Sequence, residues 1–140
     1  MRLWHQDLIQ YLPRQQLLGQ HRECCALRGK GWGKKHKIVD YVFTHNPAKL
    51  VAYHYLVMSE MIRRGYNPDT MWYSVTYRGS ALGQQMDWTT VSDVESYYIP
   101  ACEHSRIIYD EHNDTYLQEC IDNLKSKGIE IKIKGEQNGR

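Results

Sequence analysis

The chain is poorest in the features that would assign it to a membrane, to secretion or to a metal-dependent class. Among its 140 residues no apolar run approaches the ~20 residues a bilayer requires. The opening Met1-Arg2-Leu3-Trp4-His5-Gln6-Asp7 lacks the apolar stretch of a signal peptide, so the expected location is the cytoplasm, with no membrane partner. There are four cysteines, two of them adjacent as Cys24-Cys25. They make a poor disulfide framework and are read as reduced, mostly buried thiols. Structural zinc sites pair their ligands roughly two to four residues apart, with a second close pair. Cys102, Glu103, His104, His112 and Cys120 are not so spaced, and no metal or other cofactor is expected. The chain has no GxSxG elbow, no HExxH helix, no internal repeat and no low-complexity segment.

What is present fits one domain over residues 1–140, long enough to bury about two-thirds of its unfolded surface. The net charge of +2 hides an asymmetry: residues 1–50 hold nine Lys or Arg against three Asp or Glu, and the remaining ninety hold nine against thirteen. A basic first third favours a polyanionic partner if the charges share one face.

The stretch from Pro13 to Gly29 predicts a helix with two unlike faces, Pro13 suiting a first position and Gly29 a left-handed end. Leu17, Leu18, His21, Cys24, Cys25 and Arg28 fall on one side, expected to face the core with Arg28 snorkelling. Glu23 stands opposite, with small neighbours Gly19 and Ala26 leaving room for a ligand, Gln16 and Gln20 beside it, and Arg22 placed to hold a phosphate. An isolated Glu on a polar face is more often merely solvated.

Before this helix, Leu3, Trp4, Leu8, Ile9 and Leu12 are expected to pin the chain start to the body. After it, Gly29-Lys30-Gly31-Trp32-Gly33-Lys34-Lys35-His36-Lys37 reads either as a phosphate-contacting loop with a stacking indole or as a solvated turn. Its spacing is not that of a Walker loop or a dinucleotide fingerprint. Ile38 to Phe43 suggests a brief helix. Asn46-Pro47 opens the best-marked helix, with Leu50, Val51, His54, Val57, Met58, Met61 and Ile62 as its stripe and Gly65 as its stop; His54 is expected to be a core histidine. From Tyr66 to Asp110 the pattern weakens, with aromatic residues read mostly as core. Asp114 or Thr115 is expected to cap a last helix ending at Gly128. Ile129, Ile131 and Ile133 alternate with Glu130, Lys132 and Lys134 as an edge strand, and the last six residues are expected to fray. The fold class expected is mainly all-α: a compact single-domain helical bundle with long irregular loops and a short C-terminal strand.

Two blocks carry a family resemblance. Arg2, then Leu12, Gln15, Leu17 and Arg22-Glu23, form the first; Pro47 through Met61-Ile62-Arg63-Arg64-Gly65-Tyr66-Asn67 forms the second, with Tyr98-Ile99-Pro100 a weaker third. In these the chain resembles the phage-type pyrimidine-dimer DNA glycosylases of the endonuclease V class. The resemblance implies an all-α domain without metal or cofactor, acting as a monomer on double-stranded DNA with damaged or abasic sites. It implies a glycosylase and abasic-site lyase whose nucleophile is the protein's own α-amine, here at Met1 because Arg2 is too bulky for methionine removal, assisted by Glu23. An α-amine with a pKa of about 7.7 to 8.0 is neutral roughly a tenth to a fifth of the time at pH 7, several hundredfold more often than a lysine. Arg2 and Arg22 would hold flanking phosphates, with Arg28, Lys30, Trp32, Lys34 and Lys35 as further DNA contacts. The chain departs from the family where Ala26 replaces an arginine, compensated by Arg28 or Lys30, and where no Trp-Tyr-rich segment follows Ile129. Two other readings stay open: a DNA- or RNA-binding module without turnover, and an enzyme acting on RNA or another aldehyde-bearing substrate.

Overall fold

The computed structural model describes residues 2–133. Met1, Lys134 and the six residues expected to fray lie outside that range.

Apolar spacing and cap chemistry build four α-helices: α1 (Arg14–Arg28), α2 (Pro47–Arg63), α3 (Val91–Cys102) and α4 (Asp114–Ser126), joined by short 3-10 turns at Gln6–Tyr11, Asp40–Thr44 and Thr70–Tyr73. Helix α2 is the central element, packed between α1 and α3. Its start is fixed by Asn46, whose side chain accepts from the Ala48 N–H, with Pro47 in the first turn. At its end Gly65 takes φ +90°. That lets the N–H groups of Gly65 and Tyr66 turn back onto the carbonyls of Ile62 and Met61, both at 2.9 Å. The expected stripe is buried except Ile62, which is exposed; α4 closes in the same way at Gly128.

The mainly helical expectation holds. Among the described residues there is no strand, only an isolated antiparallel bridge between Tyr77 and Gln84. The C-terminal strand does not form over the described part of its stretch: Ile129, Ile131 and Ile133 lie against the core, and no neighbouring segment offers them a ladder. Three boundaries also differ, the first being that Pro13 stands as the cap before α1 rather than in its first helical position. Helix α4 is capped by Asn113, one residue earlier than expected, its side chain accepting from the Tyr116 N–H. Gly29 ends α1 at φ −91°, outside the left-handed region. Its neighbour Gly31 is needed instead for close approach, since a Cβ there would lie 2.7 Å from the Ala26 carbonyl oxygen. Helix α3 falls in the stretch that showed little pattern; Thr90 caps it by accepting from the Asp93 N–H, and Pro100 sits within its last turn.

Residues 2–12 are pinned as expected, with Leu3, Trp4, Leu8, Ile9 and Leu12 all buried. This brings the start of the chain against α1.

Candidate active site

The site is built where the chain start crosses the polar side of α1. Glu23 is half-buried, and its Oε2 accepts the backbone N–H of Arg2 at 2.9 Å and the Gln20 side-chain N–H at 3.3 Å. The Arg2 guanidinium stands over two rings, Trp4 at 5.5 Å and Tyr116 at 5.9 Å from their centroids. Tyr116 comes from α4 and donates its hydroxyl to the Leu3 carbonyl at 2.6 Å, so α4 as well as α1 holds the chain start. Lys127, at the end of α4, places its ammonium 5.4 Å from the Trp4 ring and adds a third cation to Arg2 and Arg22. Arg22 is exposed on α1 and reaches back over Gly19, its Nη2 3.7 Å from where a Cβ at Gly19 would stand. The small residue beside Glu23 therefore makes room for a cation as well as for a ligand.

The lysine loop folds back onto the last turn of α1, the Gly31 N–H bonding to the Ala26 carbonyl at 2.9 Å, and Ala26 lies one turn beyond Glu23. Lys30, Lys34 and Lys35 are exposed there as a phosphate-contacting loop requires. Trp32 is not a free stacking platform. Its ring packs edge-on against Phe43 at 5.0 Å and Trp88 at 5.7 Å, so it anchors the loop to the core.

Arg28 does not snorkel and cannot reach DNA, because its side chain is fully buried. Its guanidinium donates to the carbonyls of Trp72 at 2.8 Å, Ser74 at 2.8 Å and Tyr77 at 3.0 Å, and to His54 Nδ1 at 3.0 Å. Burial pulls its pKa down to about 10, which leaves it charged at neutral pH. The irregular loop after α2 turns these carbonyls inward towards α1, and a planar five-donor fork meets several of them at once. The Ala26 gap is thus left to Lys30 rather than Arg28.

Among the described residues one cluster has metal-ligand chemistry. His21, Cys25 and His54 bring their ligand atoms within 4.8 Å of one another. Their lone pairs are nonetheless committed. Arg28 can only donate, so His54 Nδ1 accepts and its Nε2 carries the proton, which is donated to His21 Nδ1 at 2.8 Å. A cation at the trio would have to displace that proton beside a buried guanidinium. Burial pushes the Cys25 thiol up to about 12 and the fully buried Cys24 thiol well up, so neither is an ionised nucleophile at neutral pH. Cys102, Glu103 and His104 are exposed on the far end of α3, away from buried His112 and Cys120.

The structure therefore brings the start of the chain at Arg2 against Glu23, leaves Arg22 and the three loop lysines exposed on α1 and the loop after it, and removes Arg28 to the core. It adds Gln20, Tyr116 and Lys127. Gln20 was placed beside Glu23 on the polar side but is buried, and the other two come from a helix whose sequence carries no hint of the contact.

Comparison with curated proteins and with solved structures finds no match. A family profile described as pyrimidine dimer DNA glycosylase matches residues 1–74, more than half of the chain, covering the chain start, α1 with Glu23, the lysine loop and α2. On that match the chain belongs to the pyrimidine dimer DNA glycosylase family.

Proposed function

We propose that the protein is a DNA glycosylase and abasic-site lyase that works as a monomer through a free α-amine at Met1 and the carboxylate of Glu23. The observation that carries this reading is the 2.9 Å hydrogen bond from the Arg2 N–H to Glu23 Oε2. Residue 1 is bonded to that nitrogen, so covalent geometry alone keeps an α-amine there within about 4 Å of it. Added to the 2.9 Å bond, this keeps an α-amine at position 1 within about 7 Å of the Glu23 carboxylate, and an amine and a carboxylate tethered at one sugar's reach are the two groups that imine chemistry needs.

The amine attacks C1′ of an extrahelical nucleotide, the glycosidic bond breaks, and the base leaves with its electron pair and a proton. Ring opening breaks the C1′–O4′ bond and gives the imine. Glu23 then takes the C2′ proton, and the electrons released expel the 3′ phosphate by β-elimination. Arg2, Arg22 and Lys127 hold phosphates around the reacting sugar, while Lys30, Lys34 and Lys35 extend the contact along the backbone. A damaged pair costs less to open than an intact one, which favours lesions over normal DNA.

Borohydride trapping on an abasic duplex tests the reading. A covalent adduct is expected with the untagged protein and none with residues added ahead of Met1, whereas an adduct from the extended chain would place the nucleophile elsewhere. Glu23→Gln is expected to keep adduct formation within about tenfold and to slow strand cleavage by about 100-fold or more. Cleavage at the wild-type rate would return Glu23 to a solvated surface residue.

A further inference from the structure

Gln20 is the buried polar side chain that the functional reading leaves without a task, being only 1% exposed. Both ends of its amide are used, and the partners fix its orientation. The Trp4 N–H can only donate, so Oε1 faces it, at 2.7 Å; the Arg2 carbonyl can only accept, so Nε2 faces that, at 2.8 Å. Accepting from residue 4 while donating to residue 2 is what a neighbouring strand would do for an extended segment. The side chain of α1 thus substitutes for a strand that this fold lacks. Tyr53 from α2 closes the arrangement, its hydroxyl lying 2.6 Å from the Trp4 carbonyl and 2.8 Å from Gln20 Oε1. Burial keeps that phenol protonated and able to donate.

The same Nε2 also donates to Glu23 Oε2, the oxygen that receives the Arg2 N–H. One carboxylate oxygen is therefore occupied twice by the groups that hold the chain start, and among the described residues no donor bonds to Oε1.

We propose that Gln20 is a positioning residue: it clips residues 2–4 to α1, so setting the distance between an α-amine at position 1 and Glu23, and it reserves Glu23 Oε1 as the oxygen that moves protons. The proposal rests on the reaction proposed above.

Two variants separate this role from simple structural support. Gln20→Leu keeps the volume and removes both halves of the clip. With helix content retained, adduct formation on an abasic duplex should slow by about 100-fold while affinity for the same duplex changes by less than about threefold. Gln20→Glu keeps the shape and sets a second carboxylate against Glu23. The acid limb of the single-turnover cleavage profile should move up by about one pH unit, a shift that a merely structural residue would not produce. Amide exchange at Trp4 reads the clip without turnover and should quicken at least tenfold in Gln20→Leu. Wild-type trapping rates in both folded variants with an unmoved acid limb, or unchanged Trp4 exchange, would overturn the role of Gln20. A wild-type chain that never forms an adduct would instead overturn the reaction itself, and the role with it.

Discussion

Arg28 illustrates how far a charged side chain can be misplaced by periodicity alone. Its position on the apolar side of α1 is legible from the sequence, yet its partners are carbonyls 44 to 49 residues away in an irregular loop that no helical or strand pattern marks. The same blindness hid Gln20, whose partners lie at the chain start. Glu23 was legible because its small neighbours on α1 and its match to a family motif are both local. The energetic consequence for Arg28 is direct. Arg28→Lys retains the charge but offers three donors on one atom in place of a planar fork, so at least one of its four acceptors, the three carbonyls and His54 Nδ1, loses its partner. The variant should lose about 3 kcal/mol of stability in denaturant unfolding while, where still folded, keeping the salt dependence of DNA binding. A shallower salt dependence would return Arg28 to the DNA surface.

Among the elements, α2 and α4 were legible because each carries its own start and stop chemistry, and α1 because Pro13 and Gly29 bracket its apolar stripe, although neither acts there as a side-chain cap or a left-handed stop. Helix α3 was not, since Pro100 lies inside it and Val91 and Ile99 are exposed, which blurs the apolar stripe that identifies a surface helix. The hydrogen bonds that join the elements are harder still to foresee. His112, just before α4, accepts the Gln6 N–H at its Nδ1 at 3.2 Å, so its Nε2 carries the proton donated to the Tyr41 hydroxyl at 2.8 Å. The ring is held neutral by burial and by neighbouring His5, its pKa lowered to about 3. An unfolded imidazole takes a proton near pH 6.5, and this one does not until about pH 3. Between those values the unfolded chain binds the extra proton, so stability falls as pH falls; above about pH 6.5 the ring contributes no pH dependence. His5 and His54 are shifted downward as well, again chiefly by burial, and steepen the loss. From pH 6.5 to pH 5 His112 alone should cost about 2 kcal/mol, read from denaturant midpoints. His112→Gln, which cannot take the proton, should flatten that part of the slope.

At the scale of the whole molecule the net charge of +2 says little, because residues 1–50 carry nine Lys or Arg against three Asp or Glu, and Arg22, Lys30, Lys34 and Lys35 among them are exposed on α1 and the loop that follows it. Neutralising phosphates releases condensed counterions, so each lysine that makes such a contact adds about 0.9 to the slope of log affinity against log salt. Lys30, Lys34 and Lys35 are exposed, and among the described residues none of them pairs with a carboxylate, so replacing all three by Gln should leave folding unchanged. The triple variant should bind undamaged and abasic duplexes more weakly by a similar factor, with a salt slope shallower by about 2 to 3. Backbone contacts position a protein without distinguishing sites, so the preference for the abasic duplex should survive. The cleavage step, measured with enzyme in saturating excess, should also keep its wild-type rate, because Glu23 and the clip at the chain start are untouched. A loss of preference for the abasic site, or an unchanged slope, would show that the loop is a solvated turn and that the DNA path runs across Arg2, Arg22 and Lys127 alone.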